Sequence, residues 1–333
     1  MKCTDVPEIL SPEWEDYELV DCGGFEKLER FGRYVTVRPE PQAIWHKSLP
    51  EEEWERMASA VFRRDANSEE RGRWLLGAGM PEQWRIDYRY RGMSLRMRLG
   101  LTSFKHVGVF PEQGENWNFI YDSVAELKAR LGREPRVLNL FAYTGGASLA
   151  ARSAGAEVTH VDSVRQVVTW ARENMEASGL DGIRWVVEDA MKFVRREVRR
   201  GRSYDGIILD PPAYGRGPEG EKWVLGQDIG PMLECCTRLL SATDGFLVLN
   251  LYSMGFSALL AKSIVGQLFP VPSAEEFGEL FFYDRSEKML PLGVFYRARY
   301  GGDMQGPAQK RPENSRREEK KMEAYRVDCY VCV

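Results

Sequence analysis

Arg136-Val-Leu-Asn-Leu-Phe-Ala-Tyr-Thr-Gly-Gly-Ala-Ser148 is the stretch that decides how this chain folds. The run Arg136–Phe141 is apolar at every position except Arg136 and Asn139. It stops at two glycines that open a second apolar stretch, Gly146–Ser153, the pattern of a strand, a tight turn and a helix. Val161-Asp162 ends a second such run, and Asp210-Pro-Pro-Ala-Tyr214 ends a fourth, Tyr204–Leu209. Turn glycines, an acid and a stiff Asp-Pro-Pro loop thus fall after successive strands. Those are the C-terminal strand ends where a doubly wound α/β sheet keeps its ligand crevice.

Working outward, the same alternation continues on both sides. A helix is expected over Asp122–Leu131, stopped by Gly132 and Pro135, and others over Val164–Ser178, Ala190–Arg200, Gly230–Leu240 and Phe256–Leu268. Between them lie strands ending at Val161, Val187, Leu209 and Leu251, and Glu276–Tyr283 with Gly293–Tyr300 reads as a closing hairpin. Strands alternating with helices at this spacing predict a parallel sheet. The first 120 residues differ. Tyr34–Val37, Trp84–Tyr90 and Ser94–Leu99 alternate polar with apolar residues, the last two joined at Arg91-Gly92 in hairpin fashion. They predict a small antiparallel β domain carrying one acidic helix at Glu51–Arg63, with Lys105–Trp117 as a bridging loop. The expected organisation is a β-rich, substrate-binding accessory domain over 1–120, a ligand-binding α/β domain over 121–300, and a mobile charged tail over 301–333.

Composition narrows the function classes. No run approaches the 18 apolar residues of a membrane span. Met1–Glu8 lacks the basic start and apolar stretch of a signal peptide, so a cytoplasmic location is expected. The six cysteines and three histidines show no zinc-type paired spacing, and no metal is expected. A net charge of −4 argues against indiscriminate nucleic-acid binding over the whole surface. Two arginine-rich segments stand out locally. One holds Arg85, Arg89, Arg91, Arg96, Arg98 and Lys105 and the other Arg195, Arg196, Arg199, Arg200 and Arg202. They read either as phosphate-docking patches or as the solvated edges of a strand pair and a helix C-terminus.

The crevice motifs point to a nucleoside cofactor. Glycines let backbone approach a ligand, and an acid after the next strand, here Asp162, accepts hydrogen bonds from ribose hydroxyls. A dinucleotide would call for Gly-x-Gly-x-x-Gly to set a pyrophosphate on the helix N-terminus, and Tyr143-Thr-Gly-Gly-Ala-Ser148 misses that spacing. S-adenosyl-L-methionine needs no such cradle. Its methionine end is assigned to Asn139–Gly146, including Phe141, Tyr143, Thr144 and Gly145. Its ribose is assigned to Asp162 and its adenine to Asp189, which reads equally as a helix N-cap. Ser148, Ser163, Ala190 and Asp210 complete the expected cofactor set. Asp210, Pro211, Pro212 and Tyr214 are expected to orient the methyl acceptor, since two prolines remove backbone donors and leave carbonyls while a tyrosine ring can stack on a base.

Val137–Gly146, Gly155–Asp162, Trp170–Asn174, Tyr204–Pro212 and Phe104–Gln113 together resemble the class I S-adenosylmethionine-dependent methyltransferases. Within them they are similar to the bacterial 23S ribosomal RNA cytosine-C5 and guanine-N7 enzymes. The resemblance covers roughly Phe104–Tyr300. It implies a Rossmann-like seven-stranded methyltransferase sheet, and that Phe110 and Gln113 help close over the cofactor. One departure bears on chemistry. Cytosine-C5 methylation needs a thiolate that adds to the ring, and the family's cysteine follows the fifth strand, where this chain has Leu249-Asn-Leu-Tyr-Ser-Met254. Methyl displacement by an aligned nitrogen or oxygen needs mainly positioning. The expected activity is therefore methylation of RNA, ribosomal RNA foremost, at nitrogen or oxygen. A small-molecule methyltransferase and a non-catalytic S-adenosylmethionine-binding protein stand as alternatives. Expected partners are RNA, docked through the arginine segments, and a second copy of the chain in a homodimer.

Overall fold

The structure, a computed structural model, describes residues 6–65, 71–241, 243–252 and 255–301. The expected tail over 301–333, apart from Gly301, lies outside the described residues, as do Cys3, Cys329 and Cys332. The described residues form one compact unit.

Its N-terminal part begins with β1 (Glu8–Leu10) and continues with β2 (Tyr17–Gly23), β3 (Glu26–Phe31), β4 (Tyr34–Pro39), α1 (Glu51–Met57), β5 (Ala60–Arg64) and β6 (Gly72–Leu76). Strands β2 to β6 form a five-stranded sheet in sequence order, antiparallel except at β4 and β5, which run parallel across the α1 connection. The hairpin β7 (Gln83–Tyr90) and β8 (Met93–Gly100) follows. Along β8, Met93, Leu95, Met97 and Leu99 are buried and the residues between them face outward, the period of two that the sequence shows.

A 3-10 turn, Pro111–Gln113, then leads into α2 (Gly114–Leu131), β9 (Arg136–Leu140), α3 (Gly146–Ser153), β10 (Glu157–Asp162), α4 (Arg165–Ala177), β11 (Arg184–Val187), α5 (Ala190–Arg199) and β12 (Gly206–Leu209). A short hairpin, β13 (Tyr214–Arg216) with β14 (Lys222–Val224), precedes α6 (Leu225–Leu239), β15 (Gly245–Leu251), α7 (Ala258–Leu268), β16 (Ala274–Tyr283) and β17 (Met289–Tyr300). The main sheet runs β1-β16-β17-β15-β12-β9-β10-β11, with β17 the one antiparallel strand. Seven of these strands are the expected Rossmann-like sheet, and β1 adds an eighth at the edge beside β16. Strand order reverses between β9 and β12, both buried on two faces, and ligands bind above such a switch point.

Two element boundaries differ from expectation. The acidic helix ends at Met57, not Arg63, because Ala60-Val-Phe alternates into a strand that buries Phe62. The helix expected from Asp122 already starts at Gly114, inside the bridging loop. Trp117, Ile120, Val124 and Leu127 are all buried, a helical stripe that begins before Asp122. The N-terminal part is tied to the main sheet through this helix. Trp14, Tyr88 and Trp117 pack edge to face with ring centroids 4.7 and 5.4 Å apart. The β8 edge also docks on α4, where the Arg98 amide donates to Asn174 Oδ1 at 2.7 Å and Trp170 Nε1 donates to the Arg98 carbonyl at 2.9 Å.

Candidate functional site

The turn after β9 is held in an unusual backbone conformation. Phe141 (φ +55°), Tyr143 (φ +49°) and Gly145 (φ +94°) all lie in the left-handed region, which costs a non-glycine residue roughly 1–2 kcal/mol. The neighbours over-determine it. Asp162 accepts from the amides of Tyr143 and Val164, each at 2.9 Å. Thr144 Oγ1 donates to the Gly108 carbonyl at 2.6 Å, and Asn174 Nδ2 donates to the Thr144 carbonyl at 2.9 Å. Burial pushes the Asp162 carboxyl above its ordinary range, against those amides. At Gly146 a Cβ would come within 2.2 Å of the Trp117 indole. The second glycine is therefore required by packing, and the first by its backbone angle.

Behind the turn a buried polar chain fixes Asn139. Its Nδ2 donates to Ser148 Oγ at 2.9 Å, and Ser148 Oγ lies 3.0 Å from His160 Nδ1. The hydroxyl and the ring nitrogen share one hydrogen bond, and His160 Nε2 has no partner among the described residues. Burial drives the His160 pKa down to about 3, so the ring is neutral.

In front of the turn opens a cleft of about 520 Å³, counted out to its mouth, between β9, β12, β15 and the start of α2. Asp210, at the end of β12, accepts from Asn250 Nδ2 at 2.7 Å. Burial raises its carboxyl to about 6, opposed by that hydrogen bond. Among the described residues Asn250 Oδ1 has no partner, and neither has Asn116 Oδ1, whose amide donates to Gln113 Oε1 at 2.8 Å. Both side chains are about 98% or more buried and both line the cleft. Orphaned buried acceptors of this kind cost about 1–3 kcal/mol each, and a ligand with N–H or O–H donors relieves them.

The structure gathers Phe110, Gln113, Asn139, Phe141, Tyr143, Thr144, Gly145, Gly146 and Asp210 around one cleft. The Phe110 ring sits 5.4 Å from that of Tyr143. Ser148 lies one layer behind, against Asn139. Asp162 braces the turn, and Ser163 beside it reaches the Arg216 carbonyl at 3.5 Å. Asp189 caps α5, accepting from the Lys192 amide at 2.8 Å, with Ala190 the first residue of that helix. Pro211, Pro212 and Tyr214 do not line the cleft. The Pro212 carbonyl is taken by Trp223 Nε1 at 2.8 Å, and Tyr214 is 51% exposed on β13. Sequence reasoning missed Asn116, Trp117 and Asn250. Asn250 carries a signal in retrospect, a polar residue inside the otherwise apolar strand Gly245–Leu251. Asn116 offered none while its segment read as a loop.

Comparison with known proteins agrees with this architecture. Residues 51–267 match the family described as S-adenosylmethionine-dependent methyltransferase. A crystal structure of a SAM-dependent methyltransferase from Agrobacterium tumefaciens superposes with a TM-score of 0.80 at 38% identity, covering 89% of this chain and 95% of that one. A putative methyltransferase complexed with SAH shares the fold, with a TM-score of 0.63 at 20% identity, covering 86% and 76%. Among curated proteins, the ribosomal RNA large subunit methyltransferase K/L of Shewanella frigidimarina is 28% identical over 159 residues, 46% of this chain and 21% of that protein. The chain thus spans about a fifth of the length of such curated relatives. It belongs to the S-adenosylmethionine-dependent methyltransferase family, and S-adenosylmethionine is its cofactor.

Proposed function

We propose that this protein transfers the methyl group of S-adenosylmethionine to a nitrogen or oxygen of RNA, with ribosomal RNA as the first candidate. The observation that carries the methyl-transfer reading is the cleft at the switch point, where a braced glycine turn meets two buried, unpartnered amide oxygens and a buried carboxyl. That donor and acceptor set suits the ammonium and carboxylate of a methionine end. Asn139, Phe141, Tyr143, Thr144, Gly145 and Gly146 hold this end, with Asn116, Asn250 and Asp210 as acceptors. Asp162 with Ser163 faces the ribose, and Asp189 with Ala190 the adenine. Phe110 and Gln113 close the cleft from above. When bound, the cofactor supplies an activated methyl on a sulfonium. The protein's share is to exclude water and hold the acceptor in line, which alone accounts for much of such an acceleration. Asp210 and the following Pro-Pro-Ala-Tyr loop orient the acceptor, and the N-terminal β-rich part of the chain, residues 1–120, binds it.

Support for RNA comes from the surface and from the ribosomal RNA methyltransferase relative. Arg91, Arg96 and Arg98 are paired with Asp122, Asp87 and Glu173, and Arg196 and Arg200 with Glu188 and Glu197. Arg85, Arg89, Arg195, Arg199 and Arg202 are exposed and make no such pair among the described residues, which leaves them for phosphates. Incubation of the protein with tritiated S-adenosylmethionine and in vitro transcribed large-subunit ribosomal RNA tests the reading. Label is expected in the RNA. Label only in the small-molecule or protein fraction of a cell extract would overturn the RNA assignment.

A further inference from the structure

The five-stranded sheet of the N-terminal part carries a basic face outside the cofactor cleft. Strands β5 and β6 set Arg63 directly opposite Arg73, and Arg71 faces Phe104 in a single antiparallel bridge at the sheet edge. Directly paired residues share a face, and so do residues two apart on one strand. Arg63, Arg71, Arg73 and Phe104 therefore stand on one side of the sheet. Helix α1 covers that side further along, where Trp54 packs among Val20, Leu28 and Val37, with Val61 at the margin. Beyond Val61 the face is open. All three arginines are exposed there, and Phe104 is 41% exposed.

This arrangement is unfavourable for the sheet alone. Like charges directly opposite one another destabilise a strand pair, and an anion between them relieves the cost. Arg63 reaches Glu26 at 3.3 Å, whereas Arg73 has no acid within ion-pair distance among the described residues. The Arg71 guanidinium lies 5.3 Å from the centre of the Phe104 ring. The backbone beneath that ring is fixed, since Trp74 Nε1 donates to the Phe104 carbonyl at 3.2 Å and the Gly72 amide to the Ser103 carbonyl at 3.0 Å. An open ring on a fixed backbone is a platform for a nucleobase, and guanidiniums around it suit phosphates.

The platform is joined to the cofactor cleft. Past Lys105, the His106 ring lies 5.0 Å from that of Phe110, and Phe110 lies 5.4 Å from Tyr143 of the glycine turn. The six residues from Phe104 to Phe110 span at most roughly 20 Å, so one short stretch of nucleic acid reaches both ends. Lys105, His106 and Phe110 also border a charged chamber beside the cleft. Its charges are committed to one another. Arg38 holds Glu29 through hydrogen bonds at 2.7 and 2.9 Å, and Lys27 lies 3.2 Å from Glu40. The chamber braces the path and leaves docking to the arginine face.

Deepening the RNA reading above, on which it rests, we propose that this face binds an unpaired stretch of RNA adjoining the methylated nucleotide. One base stacks on Phe104, and Arg63, Arg71 and Arg73 hold the phosphates beside it. A paired duplex has no free base face to offer the ring. An apolar protein surface would leave the arginines without counter-charges.

The full-length chain is titrated with a short fluorescein-labelled RNA of mixed sequence, single-stranded and annealed to its complement, over a salt series. Phe104→Ala is expected to weaken single-strand binding about tenfold at unchanged salt slope, and Phe104→Trp to restore it. Arg73→Ala is expected to lower the slope by about 0.7. The duplex should bind more weakly and respond little to Phe104→Ala. Melting temperature and S-adenosylhomocysteine affinity serve as controls for the fold and the cleft. Single-strand binding by Phe104→Ala within about twofold of wild type, or a duplex bound as tightly as the single strand, overturns the proposal. So does a dimer in sedimentation that Phe104→Ala or Arg73→Glu splits, because the face then belongs to a second copy of the chain. Tritium transfer from S-adenosylmethionine separates this proposal from the reading it rests on. Label in large-subunit ribosomal RNA with an unchanged KM in Phe104→Ala overturns the docking face alone. Label confined to small molecules overturns the RNA reading, while loss of oligonucleotide binding in Phe104→Ala still supports the face.

Discussion

The cofactor cleft and the neighbouring chamber share a wall and are built from opposite materials. The cleft is made of backbone turns, amides and one buried carboxyl, and it leaves acceptors unpaired. The chamber is made of full charges drawn from separate segments and mostly paired with one another. A site that must release its ligand keeps its polar groups unsatisfied, whereas a buried ionic cluster that holds two sheets together must satisfy them. Changes in the chamber should therefore be felt mainly as stability, and changes in the cleft mainly as binding.

The largest expected effect is on the chamber. Arg38→Met leaves Glu29 ionised and buried with too few partners, and should cost about 3–5 kcal/mol in a denaturant melt. A loss below about 1 kcal/mol would put the comparison in doubt. In the cleft, Gly146→Val drives a side chain into the Trp117 indole. Calorimetry should show S-adenosylhomocysteine binding weakened by at least about 100-fold, with a folding cost of about 1–3 kcal/mol.

Asp210→Asn sharpens the contrast, because binding and stability should move in opposite directions. Cofactor affinity is expected to fall by about 10–100-fold with the charge removed. The native carboxyl, raised to about 6, keeps its proton longer than the unfolded one. The stability linked to it is full below the unfolded pKa and is lost as pH rises through about 6. At pH 8 the Asn variant without ligand should thus be more stable, by up to about 3 kcal/mol. His160 has the reverse sign. With a native pKa of about 3 it must stay neutral, so stability falls as pH drops below the unfolded value near 6.5, by about 1.4 kcal/mol per unit. Melts of the wild type and His160→Gln between pH 4 and 7 should differ in that slope. The smallest effect on the fold belongs to the surface. Arg85→Glu with Arg89→Glu should leave melting unchanged and reduce the salt slope of RNA binding by about one for each phosphate no longer neutralised. An unchanged slope would remove β7 from the RNA surface.

Much of the fold was legible because parallel strands buried on both faces must be apolar along their length. Ile207, Leu209, Val137 and Leu140 announce such strands. The glycine turn was legible for a similar reason, since few residues other than Gly145 and Gly146 could stand there. The acidic helix was misjudged because its glutamates run up to a strand, and only the pairing with β4 and β6 shows where the helix must stop. Residues brought to the site singly were the hardest to see. Asn116 and Asn250 are far apart in sequence and gain meaning only when α2 and β15 meet across the cleft.

By itself, then, the amino-acid sequence determined the sheet, the switch point and the kind of cofactor. Those depend on local periodicity and on two glycines, Gly145 required by its left-handed backbone angle and Gly146 by the indole packed against it. The tertiary structure alone decided that Trp223 takes the Pro212 carbonyl and that Tyr214 faces solvent. It also decided that Glu112 of the 3-10 turn lines the same cavity as Lys27 and Arg38 of the N-terminal sheet. The physical reason is that burial and pairing, which set the charge a side chain can carry, arise from segments far apart in the chain, and no spacing along it records them.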